Sequence, residues 1–162
     1  GTVCVCAAGN SSGPIEYPAA FAECVAVAAV GKLGEVEANA LPALPTDPDL
    51  HGATGYYAAD FTCFGEDLAL AAPGVGIVSA VPARFGLAAP YAAMNGTSMA
   101  SPAACAAAAA LLAGNADYAT MPRSRERCRF VKSLVAATAR SASLPASHEG
   151  HGIPQTVPWR PA

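Results

Sequence analysis

Charge is scarce in this chain. Only 13% of its 162 residues are Asp, Glu, Lys or Arg; nine basic and twelve acidic side chains leave a net charge of −3, and nowhere do cations gather into a run. A surface so poor in positive charge offers no footprint for nucleic acid or for an anionic membrane, and neither is expected as a partner. The longest apolar stretch around the poly-Ala region, Ala103–Ala113, falls short of the roughly 20 residues that a bilayer demands. Zinc-type cysteine spacing is also absent. The six cysteines (Cys4, Cys6, Cys24, Cys63, Cys105, Cys128) contain no Cys-x-x-Cys pair, so no metal ligands are assigned. Cys4 and Cys6 fall on one face of a strand, where a bond between them is geometrically poor, and with Cys105 they read as small buried hydrophobes. The sequence opens at Gly1 with neither an initiator Met nor a signal-peptide pattern, so a processed or cut N-terminus is expected.

Apolar residues, by contrast, make up 53% of the chain, enough for one domain with a packed core. Thr2–Ala8 is a continuous apolar run closed by Gly9-Asn10 and reads as a strand buried on both faces. A polar turn at Ser11–Pro14 precedes a second such strand at Cys24–Val30. From Lys32 to about Tyr57 periodicity disappears and Pro42, Pro45 and Pro48 collect, which marks a surface excursion, with an insertion over 34–57. A short strand pair is expected across Phe61–Ala72 around Gly65-Glu66, and a further strand at Gly76–Val81. Gly96–Gly114 is the clearest helix: apolar on every side, Pro102 in its first turn, Gly114 at its end. A helix of that kind must be enclosed. Arg125–Arg140 predicts a second helix with Phe130, Val131, Leu134 and Val135 inward, and there is no internal repeat. Strands alternating with helices define an α/β domain with a parallel sheet over residues 1–145, followed by a Pro- and Gly-rich tail at 146–162. The opening strand looks interior, so something that should precede Gly1 is expected to be absent.

The informative chemistry lies at Gly96-Thr97-Ser98-Met99-Ala100-Ser101-Pro102, where an extended segment enters the buried helix. A serine there places its hydroxyl beside the free N–H groups and positive dipole end of the helix, which favour developing negative charge. From position alone, Ser98 is either a helix N-cap or a nucleophile.

The heptapeptide is similar to the nucleophile motif of the subtilisin family, and three more blocks agree in order. Ala7-Ala8-Gly9-Asn10 resembles the strand end that carries the family's oxyanion Asn. Tyr17-Pro18 with Val25-Ala26-Val27 resembles the wall of the primary specificity pocket and the strand behind it. Phe61–Gly74 resembles the segment leading to the Ala-Pro-Gly turn. The resemblance implies the C-terminal half of a three-layer α/β serine endopeptidase domain. Ser98 would attack the scissile carbonyl, and Asn10 with the Ser98 N–H would hold the oxyanion. Ala7, Ala8, Gly9, Glu16, Tyr17 and Thr97 would contact a polypeptide substrate. It implies chemistry that needs no cofactor, structural calcium in surface loops for which no acidic cluster here fixes a site, and secretion.

In this family the triad runs Asp, His, Ser, and the Asp and His motifs precede the strand that ends at Asn10. The missing N-terminal half of the domain is therefore an expected partner, and this chain alone is expected to be inactive. His51-Gly52-Ala53-Thr54-Gly55 superficially resembles the His motif but follows Asn10 inside the Pro-rich excursion, so His51 reads as a loop histidine; His148 and His151 read likewise. Ala103 stands where the family usually has a His, a change that bears on packing. The alternative function is a non-catalytic subtilisin-like module that binds polypeptide in its cleft. An α/β-hydrolase esterase would need Gly-x-Ser-x-Gly, which Met99-Ala100 does not supply. By resemblance to the proteinase-K-like branch, Cys24 and Cys128 are a candidate disulfide. By the same resemblance Glu16 lies near the floor of the primary pocket, where it would favour Arg or Lys at the cleaved position; otherwise it is an exposed loop carboxylate.

Overall fold

The computed structural model describes residues 1–35, 43–82 and 90–156. β1 (Val5–Ala7) and β2 (Val25–Lys32) lie parallel, Val5 opposite Val25. β2 is the spine of the sheet. Its Val, Ala and Gly residues are buried at every position before Lys32, as a strand with neighbours on both edges and both faces requires. β3 (Tyr56–Ala58) pairs antiparallel with its end, Val30 opposite Ala58, and β4 (Leu70–Pro73) pairs parallel along its other edge. The sheet is thus mixed, with two parallel pairs and one antiparallel strand. β3 arises from the end of the Pro-rich excursion, and Tyr57 there is 1% exposed, so this part is core rather than surface. Residues 36–42 of the excursion lie outside the described residues. β5 (Ile77–Ala80) and β6 (Tyr91–Met94) form a separate antiparallel pair.

The strand pair expected across Phe61–Ala72 reduces to β4. Residues 61–64 satisfy their backbone against the loop after β1 instead: Ser12 N–H donates to Phe61 O (2.9 Å), Cys63 N–H to Gly9 O (3.0 Å) and Phe64 N–H to Gly13 O (2.9 Å). The Thr62 hydroxyl accepts from Ala29 N–H of β2 at 3.0 Å.

Alternation on β2 divides the core. Val25, Val27 and Ala29 pack with Leu70 and Ala72 under two helices, α1 (Thr97–Leu112) and α3 (Arg125–Thr138), which contribute Ala100, Ala104, Val131 and Val135. Ala26, Ala28 and Val30 pack on the other face with Cys63, Leu68, Ala142, Leu144 and Ile153. Between the long helices lies the one-turn α2 (Ala116–Thr120), capped by the Asn115 side chain, which accepts from Tyr118 N–H at 2.8 Å. α1 buries Thr97, Ala100, Ala104 and Ala107, while Cys105, Ala106, Ala109 and Ala110 stand exposed, so the full enclosure expected from its composition is not met among the described residues. Cys105 and Cys4 are exposed rather than buried, the first on the outer side of α1, the second at the edge of β1, which pairs among the described residues with β2 alone.

The expected tail is in large part domain. α4 (Ala146–Glu149) packs on β4, Ala71 N–H donates to Gly152 O (3.1 Å), and Ile153 exchanges two 2.9 Å hydrogen bonds with Arg140. Glu149 is buried, its carboxylate accepting from Ser141 Oγ (2.6 Å), Ala142 N–H (2.7 Å) and Leu144 N–H (3.3 Å). Residues 157–162 lie outside the described residues.

Candidate active site

Two glycines bring the site together. Gly74, just after β4, accepts from Gly96 N–H at 2.8 Å; a Cβ on Gly74 would stand 2.7 Å from Ala29 Cβ and 2.8 Å from Gly96 O. No side chain fits there. Gly96 is the N-cap of α1, with φ 157° and no side-chain cap bond, so Ser98 is not the cap but the second residue of the helix. Its side chain is exposed, and its hydroxyl has no hydrogen-bond partner among the described residues. At that position the backbone N–H also lacks an intrahelical acceptor and points out of the positive end of a 16-residue helix.

Asn10 meets the same helix end from β1. Gly9, at φ 118°, turns the chain out of the strand. The Asn10 Oδ1 atom then accepts from both Thr97 N–H (2.9 Å) and the Thr97 hydroxyl (3.0 Å). Only an oxygen can accept both, so the amide nitrogen is turned the other way. Thr97 is fully buried and also takes a 3.3 Å hydrogen bond from Gly9 N–H. Substrate contact was expected of Thr97, but its side chain is buried and bonds Asn10 instead. A Cβ on Gly96 would lie 3.7 Å from Ser98 N and 3.8 Å from Asn10 Nδ2. Both donors therefore border one small space beside Ser98, and neither has an acceptor among the described residues. Such a space suits an oxyanion.

The remaining predicted contacts divide. Ala8 is fully buried, with its N–H donated to Val27 O and its carbonyl occupied by Glu16 N–H, so it has nothing left to offer a substrate. Ala7 and Gly9 are half buried. Tyr17 is 75% exposed and packs edge-on against Phe21 with ring centroids 4.8 Å apart. Glu16 folds back onto Gly9, where Ser11 and Cys63 join it. Nothing local marks Ser11 or Cys63 in the sequence: one sits in an ordinary polar turn, the other is an isolated cysteine.

All three histidines are described, and none hydrogen-bonds Ser98 among the described residues. His51 Nε2 is 3.0 Å from Pro45 O, His148 stacks on Phe64 with centroids 4.5 Å apart, and His151 is exposed. Cys24 and Cys128 are free thiols. Cys24 lies just before β2 and lines a cavity with Val131, Lys132, Val135 and Ala136 of α3. Its thiol interacts with that of Cys6, which is pushed above its ordinary value first by burial and then by this contact. Cys128 Sγ donates to Thr2 O at 3.4 Å. Lys132, one turn along α3, does bond the Cys24 carbonyl (3.2 Å), so the two cysteines share a neighbourhood but not a bond. Among the described residues no group of three or more His, Cys, Asp or Glu is placed to hold a metal ion, and no helix is long and apolar enough to cross a membrane.

A mixed sheet with a serine in the first turn of a partly exposed helix and an Asn amide beside it is an arrangement that can hold an oxyanion next to a hydroxyl. The chain belongs to the peptidase S8 or subtilase family, whose model matches residues 1–152. It is 34% identical over 135 residues to subtilisin DY of Bacillus licheniformis, covering 80% of this chain and 38% of that protein. To alkaline elastase YaB of Bacillus sp. (strain YaB) it is 33% identical over 122 residues, 75% of this chain and 25% of the relative. Fervidolysin from Fervidobacterium pennivorans superposes with a TM-score of 0.68 at 22% identity, over 96% of this chain and 22% of its own. The self-cleaved protease domain of PatA does so at 0.61 and 23%, over 93% and 46%. The chain thus spans between a quarter and two fifths of the length of these sequence relatives.

Proposed function

We propose that this chain is the nucleophile-bearing part of a serine endopeptidase, with the general base supplied by polypeptide that carries the family's Asp and His. The carrying observation is the space bordered by Ser98 N–H and Asn10 Nδ2 beside an exposed Ser98 hydroxyl. Ser98 Oγ attacks the scissile carbonyl carbon while its proton passes to the histidine. The carbonyl oxygen, now an anion, takes hydrogen bonds from Ser98 N–H and the Asn10 amide. The histidine then protonates the leaving amine, and water releases the acyl group by the reverse sequence. The two donors are preorganised, because α1 and the Thr97 clamp hold them before any charge appears. Substrate backbone would run past Ala7 and Gly9, with Tyr17 at the rim.

That the base lies outside these residues rests on the three histidines, none of which hydrogen-bonds Ser98 among the described residues. Without a base a serine hydroxyl is a weak nucleophile at neutral pH. The outer edge of β1, where Ser101 Oγ donates to the Val5 carbonyl at 3.1 Å, pairs with no strand among the described residues and offers its remaining backbone groups to a strand of the base-bearing partner. Action outside the cytoplasm fits the kinship with subtilisins. Assaying peptide hydrolysis by residues 1–162 alone and after assembly with the N-terminal half of a subtilase domain tests the reading. Hydrolysis should require assembly and vanish in Ser98→Ala. Assembly without hydrolysis would favour the non-catalytic binding module.

A further inference from the structure

Three of the six thiols gather where β1 runs beside β2. Cys4, just before β1, and Cys6 within it stand two residues apart and so fall on one side of the chain. Val5 lies opposite Val25, and Val25 N–H donates to Cys4 O at 2.8 Å. One residue earlier on each chain, Cys4 and Cys24 therefore come side by side, at the roughly 4.8 Å spacing of paired strands. From there the Cys24 thiol meets that of Cys6, and Cys4 acts on Cys6 as well. None of the three is sealed from solvent: Cys4 is exposed, and Cys6 and Cys24 are half-buried. The other thiols are placed elsewhere, Cys63 against Gly9, Cys105 on the outer side of α1 and Cys128 on the Thr2 carbonyl.

Between Cys6 and Cys24 the chain runs through Gly9, Asn10 and Tyr17. Few backbone bonds hold the root of that loop: Ala8 N–H to Val27 O (2.9 Å), Glu16 N–H to Ala8 O (2.8 Å) and Cys24 N–H to Phe21 O (2.9 Å). β1 itself is three residues long and pairs with β2 alone among the described residues. A short ladder thus carries Asn10 to the head of α1, and Cys6 and Cys24 stand where a covalent link would fasten it.

We propose that Cys6 and Cys24 form a disulfide that pins β1 to β2 at the root of the Asn10 loop, making the oxyanion site sensitive to redox state. The oxidant is a low-molecular-weight disulfide such as glutathione disulfide. The Cys24 thiolate attacks one of its sulfurs, breaking the S–S bond and releasing one glutathione thiolate. The Cys6 thiol, slower to ionise because burial holds it above its ordinary value, gives its proton to solvent and attacks the Cys24 sulfur, expelling the second glutathione. Two protein thiols are oxidised and one glutathione disulfide becomes two thiols. Cys4 stays free. The effect on Asn10 rests on the serine-endopeptidase reading above; the bond itself does not.

The test equilibrates the assembled protease in glutathione buffers from fully reduced to fully oxidised. Free thiols are then alkylated, linked peptides are mapped by mass spectrometry, and melting temperature and kcat are measured for each state. Oxidation should join the peptides bearing Cys6 and Cys24 and raise the melting temperature by about 5–10 °C. Reduction should lower kcat about threefold or more with little change in KM. Cys6→Ser and Cys24→Ser should each abolish the linked peptide and make the melting temperature independent of the buffer, whereas Cys4→Ser should do neither. Cys24 joined to Cys4 or to Cys128, or carrying glutathione alone, would overturn the assignment. A Cys6–Cys24 bond that leaves the melting temperature unmoved would overturn the pinning of β1, and one that leaves kcat within twofold would overturn the link to the oxyanion site. An assembly inactive in every buffer would overturn the peptidase reading, while the peptide map would still decide the bond.

Discussion

Replacing Thr97 by Val in the assembled protease tests how the oxyanion site is built. The hydroxyl has two jobs: it donates to Asn10 Oδ1 at 3.0 Å and accepts from Gly9 N–H at 3.3 Å. Val keeps the shape and the backbone N–H bond to Oδ1 (2.9 Å) but loses both hydroxyl contacts in a residue with no exposure. One net hydrogen bond plus one orphaned, half-buried N–H should cost about 1–3 kcal/mol of stability. The rate should change for a separate reason. With one of its two anchors gone, the Asn10 amide can swing, and part of one oxyanion donor is lost. Losing such a donor outright costs roughly 10²–10³-fold in kcat, a magnitude established in subtilisin itself. A half-anchored amide should sit between, a fall of about 3- to 30-fold, with KM changed less than about twofold because the donors act on charge that exists mainly in the transition state. Steady-state kinetics on a peptide amide, with melting temperature and Asn10→Leu in parallel, provide the measurement. If kcat in Thr97→Val stays within twofold of the parent while Asn10→Leu collapses, Thr97 does not position the amide. A raised KM at constant kcat would refute it equally.

Gly96→Ala should cut activity about 100-fold or more: the new methyl would occupy the space between Ser98 N and Asn10 Nδ2, at a φ of 157° that L residues avoid. Fluorophosphonate labelling rates will report the loss, and wild-type rates would contradict the placement of the two donors. Glu149→Ala should destabilise by about 2–4 kcal/mol by orphaning the buried N–H groups of Ala142 and Leu144, and chemical denaturation will show whether residues 146–153 belong to the cooperative unit. Burial holds the His148 imidazole below its ordinary 6.5, against an opposing pull from Asp47. As pH falls the unfolded chain therefore takes the proton first, so stability is full above about pH 6.5 and declines below it. Melting temperatures across about pH 5–7 should fall less steeply in His148→Phe, which keeps the stack on Phe64.

The parts legible in sequence are those where one signal dominates. β2 is a run of small apolar residues with nothing to interrupt it, and α1 is framed by Gly96 and Gly114, so both were readable within two residues. Asn10 and Ser98 stand out through their motifs, and the fold sets both at one helix end. The failures share a cause: backbone groups satisfied by distant partners leave no local pattern. Residues 61–64 look like a strand by composition yet bond to the loop at 9–13. Tyr57 lies in a Pro-rich stretch yet pairs with Gly31 in the sheet core. The 146–153 segment looks like a tail, but the single buried carboxylate of Glu149 organises it. Ser11 and Cys63 acquire meaning only from Glu16, which the fold sets beside them.

The function proposed for this chain depends on Ser98 being a nucleophile whose base lies outside residues 1–162. Treating residues 1–162 with a serine-directed fluorophosphonate, alone and assembled with a subtilase N-terminal half bearing Asp and His, tests it most directly, with the labelled residue mapped by peptide mass spectrometry. Rapid modification should be confined to Ser98 in the assembly, absent in the chain alone, and lost in an assembly whose histidine is replaced by Ala. Comparable labelling of Ser98 in the chain alone, or labelling of a different serine in the assembly, would contradict it.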